Sequence, residues 1–237
     1  MRRVMYGLMT TAALATVWYA VANAQMGNED RVVPGGGITA AGWKGKIDKA
    51  SAGQGRTIND SKFTLEGGKY TLNIGPAAVY WNPANTASGD YTVKGTFFEP
   101  TFQTVNTHPH PYGPFIGGND MDTDQMTLIY CTAYGNGTFI VRGFAPGTPQ
   151  GTAQIGPRQP QANAAVHKAE AVGKPVTQDI AMSVKGDKVS CSINGTEVWT
   201  ATKADLIGAN KLKSLDGVYG FRVSHNVDVI VTGFAKQ

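Results

Sequence analysis

The residues whose spacing could do chemistry begin with Thr107-His108-Pro109-His110-Pro111-Tyr112. The alternating prolines fix the backbone and hold both histidines extended, so that both rings project on one side. Imidazoles at i and i+2 can share a metal, touch a ligand, or merely mark a rigid entry into the next strand. On an enzymatic reading, His108, His110 or His225 would act as acid or base with an aspartate of 120–124. Just downstream, Asp120, Asp122 and Asp124 have the D-x-D-x-D spacing of calcium loops. The glycine and distal glutamate of an EF-hand are missing, so the stretch reads either as a calcium site of another kind or as a polar turn.

A second constellation lies on the run 127–134, Thr-Leu-Ile-Tyr-Cys-Thr-Ala-Tyr. Strand alternation puts Tyr130, Thr132 and Tyr134 on the face opposite Cys131. Arg142, on the next run, can join them. Aromatic rings beside polar side chains make a saccharide platform, and Trp81, His108, His110, Tyr112 and Asn119 are further candidates for it. The plainer alternative is ordinary sheet-surface tyrosine. Two cysteines, Cys131 and Cys191, each fall on the apolar face of their run. In an exported protein an isolated pair reads first as one disulfide, here between neighbouring strands, with two buried thiols as the alternative. No CxxC, P-loop, dinucleotide fingerprint, nucleophile elbow or HExxH motif is present.

The elements that must position these groups are strands. Runs of alternating polarity at 62–65, 70–74, 77–81, 91–98, 112–116, 126–134, 138–144, 179–185, 188–193, 196–200, 218–223 and 227–234 are separated by turn signals. Gly135-Asn136-Gly137 is a strong hairpin signal, and Gly67-Gly68, Gly186-Asp187 and Asn194-Gly195 mark three more turns. Only 204–210 suggests a short helix. The segment 145–176 is rich in Pro, Gly, Gln and Ala and is expected to be a long loop. About a dozen antiparallel strands must bury one face of each sheet, which predicts an all-β, single-domain jelly-roll β-sandwich.

The N-terminus bounds the compartment. Arg2-Arg3, an apolar run over 4–21 and Ala22-Asn23-Ala24 have the layout of a signal peptide over 1–24. An uncleaved anchor is the alternative, and the run is near the lower length limit for spanning. Residues 25–40 are expected to be a flexible leader, with the domain over 41–237. The chain carries +4, and losing Arg2 and Arg3 leaves about +2, too little to argue for nucleic acid. A secreted or periplasmic location follows, with no membrane contact after cleavage.

Several motifs, taken in order, resemble the concanavalin A-like lectin/glucanase superfamily. The nearest likeness is to the 3-keto-disaccharide hydrolase domain. They are Gly42-Trp43-Lys44, Leu65-Glu66-Gly67-Gly68, Gly89-Asp90-Tyr91-Thr92-Val93, Lys185-Gly186-Asp187-Lys188-Val189 with Ile193-Asn194-Gly195-Thr196-Glu197-Val198, and Asp216-Gly217-Val218-Tyr219-Gly220-Phe221 followed by His225. The resemblance implies a sandwich with a concave, ligand-binding face. The chain departs from the glucanase-type members: the run 128–134 holds no acid, and no Glu-x-Asp-x-x-Glu spacing occurs. Glycosidic cleavage usually needs two positioned carboxylates. The expected function is therefore a secreted, noncatalytic, carbohydrate-binding domain meeting a saccharide or cell-envelope polymer. A glycoside-modifying hydrolase and a structural envelope protein are the alternatives.

Overall fold

The computed structural model describes residues 29–105, 108–146, 152–153 and 158–237. The expected signal peptide lies outside the described residues. Two eight-stranded sheets pack face to face. The first contains β1 (Gly37–Ile38), β3 (Lys62–Glu66), β4 (Lys69–Asn73), β6 (Tyr91–Glu99), β12 (Val176–Lys185), β13 (Lys188–Ile193), β14 (Thr196–Thr202) and β16 (Asp228–Lys236), in the order β1-β3-β4-β16-β6-β12-β13-β14. The second contains β2 (Lys44–Ile47), β5 (Ala78–Ala87), β7 (Tyr112–Asn119), β8 (Thr127–Tyr134), β9 (Thr138–Phe144), β10 (Thr152–Ala153) and β15 (Gly217–Val223), ordered β10-β9-β8-β7-β15-β5-β2, with β11 (Gln161–Ala162) also on β9. This is the jelly-roll sandwich that the alternation predicts. Among the strands of the described residues, only β1 and β3 pair in parallel.

Alternation explains the core. On β12, Val176, Gln178, Ile180, Met182 and Val184 are buried while the residues between them are not. The inward residues of both sheets meet in one cluster that includes Phe63, Leu72, Tyr80, Phe97, Ile129, Val189, Phe221 and Val231. Trp43 stacks on Phe221 at 5.0 Å between ring centroids. Cys131 and Cys191 are both fully buried and joined, with Cα atoms 6.3 Å apart. The bond differs from the expectation in one respect. Cys131 is on β8 of the second sheet and Cys191 on β13 of the first, so it crosses the core between sheets rather than linking neighbouring strands.

Two further expectations are corrected. The flexible leader fails over 29–40. There β1 pairs with β3, the Arg31 N–H donates to Asn226 Oδ1 at 2.7 Å, and Arg31 Nε donates to the Ile74 carbonyl at 2.8 Å. Its guanidinium also ion-pairs with Asp228. These partners were invisible locally because they lie up to 197 residues away. The segment 145–176 is not a plain loop either. It supplies β10 and β11 to the edge of β9, and it seats Ala169 against Phe102 and Val176. The short helix is real but smaller than expected: α2 (Lys203–Leu206) is capped by Thr202 and Asp205. An earlier one, α1 (Lys49–Gly53), follows β2.

Candidate functional site

A cleft of about 580 Å³ opens on the outward face of the second sheet, over β8 and β9. Its floor follows from the pleat. With Cys131 turned into the core, Tyr130, Thr132 and Tyr134 face outward, and cross-strand pairing sets Arg142 opposite Tyr130 and Ile140 opposite Thr132. Arg158, Gln159 and Pro160 rise from the segment before β11 to form one wall, and the Arg142 guanidinium donates to the Arg158 carbonyl.

The other wall holds three histidines. Pro109 and Pro111 fix the chain on either side of His110, and the His108 and His110 rings lie 4.3 Å apart between centroids. The Ser224-His225-Asn226 turn after β15 is tied to this strand, because the Ser224 N–H donates to the Pro111 carbonyl at 2.9 Å. Asn226 takes a left-handed φ of 54° to make that turn. His225 therefore arrives edge-on to His110, 4.0 Å between centroids. Each histidine offers a ring nitrogen within 4.8 Å of the others, and among the described residues no other group of three such ligands converges. Asp30, only 7% exposed, accepts from His225 Nδ1–H at 2.8 Å. Burial pushes the Asp30 carboxyl up, but hydrogen bonds from His225 and Ser51 and the charge of Arg56 outweigh it and hold the group below its usual range. Burial, with His225 and His108 nearby, drives His110 down to about 3, so its ring is neutral. Burial and the neighbouring Tyr130 push the Tyr134 hydroxyl up to about 12, so it too stays neutral.

Three partners of the site escaped the sequence reading. Asp30 sat in the supposed leader. Arg222, outward on β15, sits against the floor, its guanidinium 5.6 Å from the Tyr130 ring centre and 5.3 Å from that of Phe144. Two 2.6 Å bonds tie it to Asp48. Glu99, at the end of β6, lies behind His108 and His110, only 2% exposed. Burial raises its carboxyl to about 7, against the opposing pull of Tyr112 and the Gln103 backbone. Gly135 makes room for it: a Cβ there would sit 2.8 Å from Glu99 Oε2. The signal available for Glu99 was its place on an otherwise alternating strand, at an inward position where an acid is costly.

Several expected site residues lie elsewhere. Trp81 is buried with Val79, Phe115, Met121 and Leu128, covered by Met126 and the turn before β8. Tyr112 pairs with Ala133 on the inward side of its sheet and is fully buried beside Phe97. The Asn119 side chain is spent on the Gly117 and Asp216 carbonyls at 3.1 and 2.9 Å. Asp120, Asp122 and Asp124 do not converge. Asp120 pairs with Lys213, Asp122 with Lys44, and Asp124 with Lys49. None of the three lines the cleft, so the acid–base partnership expected between them and the histidines has no geometric basis.

The architecture is that of the concanavalin A-like, galectin-type β-sandwiches. The carbohydrate binding module CBM66 from Bacillus subtilis superposes with a TM-score of 0.52 at 9% identity, covering 85% of this chain and 98% of that one. A Bacillus subtilis protein of unknown function with a galectin-like fold gives 0.53 at 13%, covering 82% and 88%. The endo-beta-1,3-glucanase from Pyrococcus furiosus gives 0.51 at 12%, covering 84% and 88%. No family model and no curated protein matches the chain. At these identities the likeness is one of fold, and the fold expected from the ordered motifs is the fold observed.

Proposed function

We propose that the protein is an exported, noncatalytic carbohydrate-binding domain, and that its cleft takes an anionic saccharide. The observation that carries this reading is the composition of the cleft. Tyr134 supplies ring surface beside the buried Tyr130, Arg142 and Arg158 supply charge, and no Asp or Glu stands among its described lining residues. A guanidinium pair with no carboxylate partner among the described residues selects for carboxylate or sulfate on the ligand. The same lining supports binding over hydrolysis, because a two-carboxylate mechanism has no pair there. Neighbours such as the binding module CBM66 use this fold, which raises the prior for saccharide without identifying it. Export is supported by the buried disulfide and the N-terminal pattern. No helix among the described residues is long and apolar enough to cross a membrane.

The test is titration of the purified protein with matched neutral and uronic acid-containing oligosaccharides. The acidic series should bind more tightly, weaken with salt, and lose affinity in Arg142→Ala. Absence of binding to either series would sink the saccharide reading, and equal binding of both would remove its anionic part.

A further inference from the structure

We propose that His108, His110 and His225 form a site for a zinc-class divalent cation on the wall of the cleft, with Asp30 orienting it. The convergence of three ring nitrogens within 4.8 Å is the first ground. A tetrahedral zinc with Zn–N of about 2.0–2.1 Å needs nitrogens about 3.3 Å apart. Side-chain turns of a few tenths of an ångström to about 1.5 Å close that difference, and of the three rings His108 is the exposed one, whereas His110 is buried and His225 is tied to Asp30.

The second ground is the direction of the lone pairs. A carboxylate only accepts, so the His225–Asp30 bond puts a proton on Nδ1 and makes Nε2 the nitrogen that a metal can take. His110 Nδ1 meets Ser224 Oγ at 3.3 Å, and its Nε2 is buried with no hydrogen-bond partner. A buried polar atom without a partner costs stability unless something fills the place opposite it. A carboxylate behind a metal-binding imidazole is the recurrent way such a ring is oriented and made more basic. Arg222, in the adjoining floor, is already neutralised by Asp48, and Asp228, in the small space behind His108 and His110, by Arg31, so neither charge weighs on the site.

The donor set selects the metal. Three neutral imidazoles suit zinc, and other late divalent metals, rather than calcium or magnesium. Three protein ligands leave a fourth position open, and here it faces the cleft, where water or a ligand oxygen can complete the shell. The inference does not depend on the saccharide reading, because the metal is tested alone.

The experiment is zinc uptake by the untagged full chain, counted after gel filtration in metal-free buffer, with cobalt(II) absorption as the spectroscopic probe. One zinc per chain is expected, with a visible cobalt band of low-coordinate, nitrogen-rich type. His108→Ala, at an exposed position, should keep the metal-free Tm and lose both signals. Asp30→Asn should weaken zinc binding by about tenfold to a hundredfold. His167→Ala, whose ring is away from the cleft, should change neither signal. A wild-type chain that takes up no zinc, or His108→Ala holding zinc as tightly as wild type, overturns the proposal.

Discussion

Arg222 grips Asp48 through two parallel 2.6 Å bonds that join β15 to the residue just before α1. Arg222 is 11% exposed and Asp48 29%. Burial alone would lower the guanidinium pKa, and the Asp48 carboxylate more than reverses that. Asp48→Ala would leave a buried charge unpaired against Tyr130 and Phe144. The expected cost is about 2–3 kcal/mol, below the usual range for buried pairs because Asp48 is partly solvated. Urea unfolding would measure it, and a loss under 0.5 kcal/mol would show the pair to be dispensable.

Glu99 should make stability fall as pH rises. Its folded pKa of about 7 stands above the ordinary glutamate value of 4.5. The folded state therefore binds the proton more tightly than the unfolded chain does. That contribution is complete below about pH 4.5 and is lost as pH climbs through 7. The full span is on the order of 3 kcal/mol. Glu99→Gln keeps the shape without the titration, so its stability curve should be flatter between pH 5 and pH 8. Parallel curves for the two proteins would contradict this.

The Cys131–Cys191 bond closes a separation of 60 residues. Chain entropy assigns such a loop about 4 kcal/mol. The double Cys131→Ala, Cys191→Ala variant should lose a comparable amount, measured by denaturant midpoint. An unchanged midpoint would mean that the unfolded chain is not restrained by the bond.

Trp81 and Tyr134 should separate cleanly. Trp81→Ala removes a core side chain and should cost about 3–5 kcal/mol of stability. Trp81→Phe should bind saccharide as wild type does. Tyr134→Ala should leave stability nearly intact and reduce saccharide affinity roughly tenfold, equivalent to about 1.4 kcal/mol. Reversal of the two phenotypes would return Trp81 to the binding surface.

Asp122 bonds to Lys44 at 2.8 Å, but its side chain is 66% exposed. Asp122→Asn should cost less than about 1 kcal/mol. With three carboxylates each held by a lysine, added calcium should leave Tm unchanged, and a calcium-dependent rise lost in Asp122→Asn would revive the loop as a site.

What could be read from the chain was whatever depends on near neighbours. The two-residue period of β12 and β13, with Gly186-Asp187 between them, gave both strands and turned Cys191 inward. The same parity on β8 turned Tyr130 and Tyr134 outward, and Arg142 followed from the Asn136-Gly137 hairpin. The errors came where sheet closure decides. Trp81 does point outward, but the 120–126 turn folds over it. Tyr112 was one parity step from the cleft, and its inward side is settled by pairing with Ala133. Asp30 and Arg222 reach the histidines and the floor from distant segments, so no local spacing could announce them.

The crossing of the disulfide between sheets has a mechanical consequence. Cys131 sits between Tyr130 and Thr132, two residues of the cleft floor. A load pulling outward on that floor passes through the sulfur bridge to β13 in the opposite sheet. It does not have to be borne by the lateral hydrogen bonds of β7, β8 and β9 alone. Peeling one strand away is then no longer the easy route to failure, because both layers of the sandwich resist as one body.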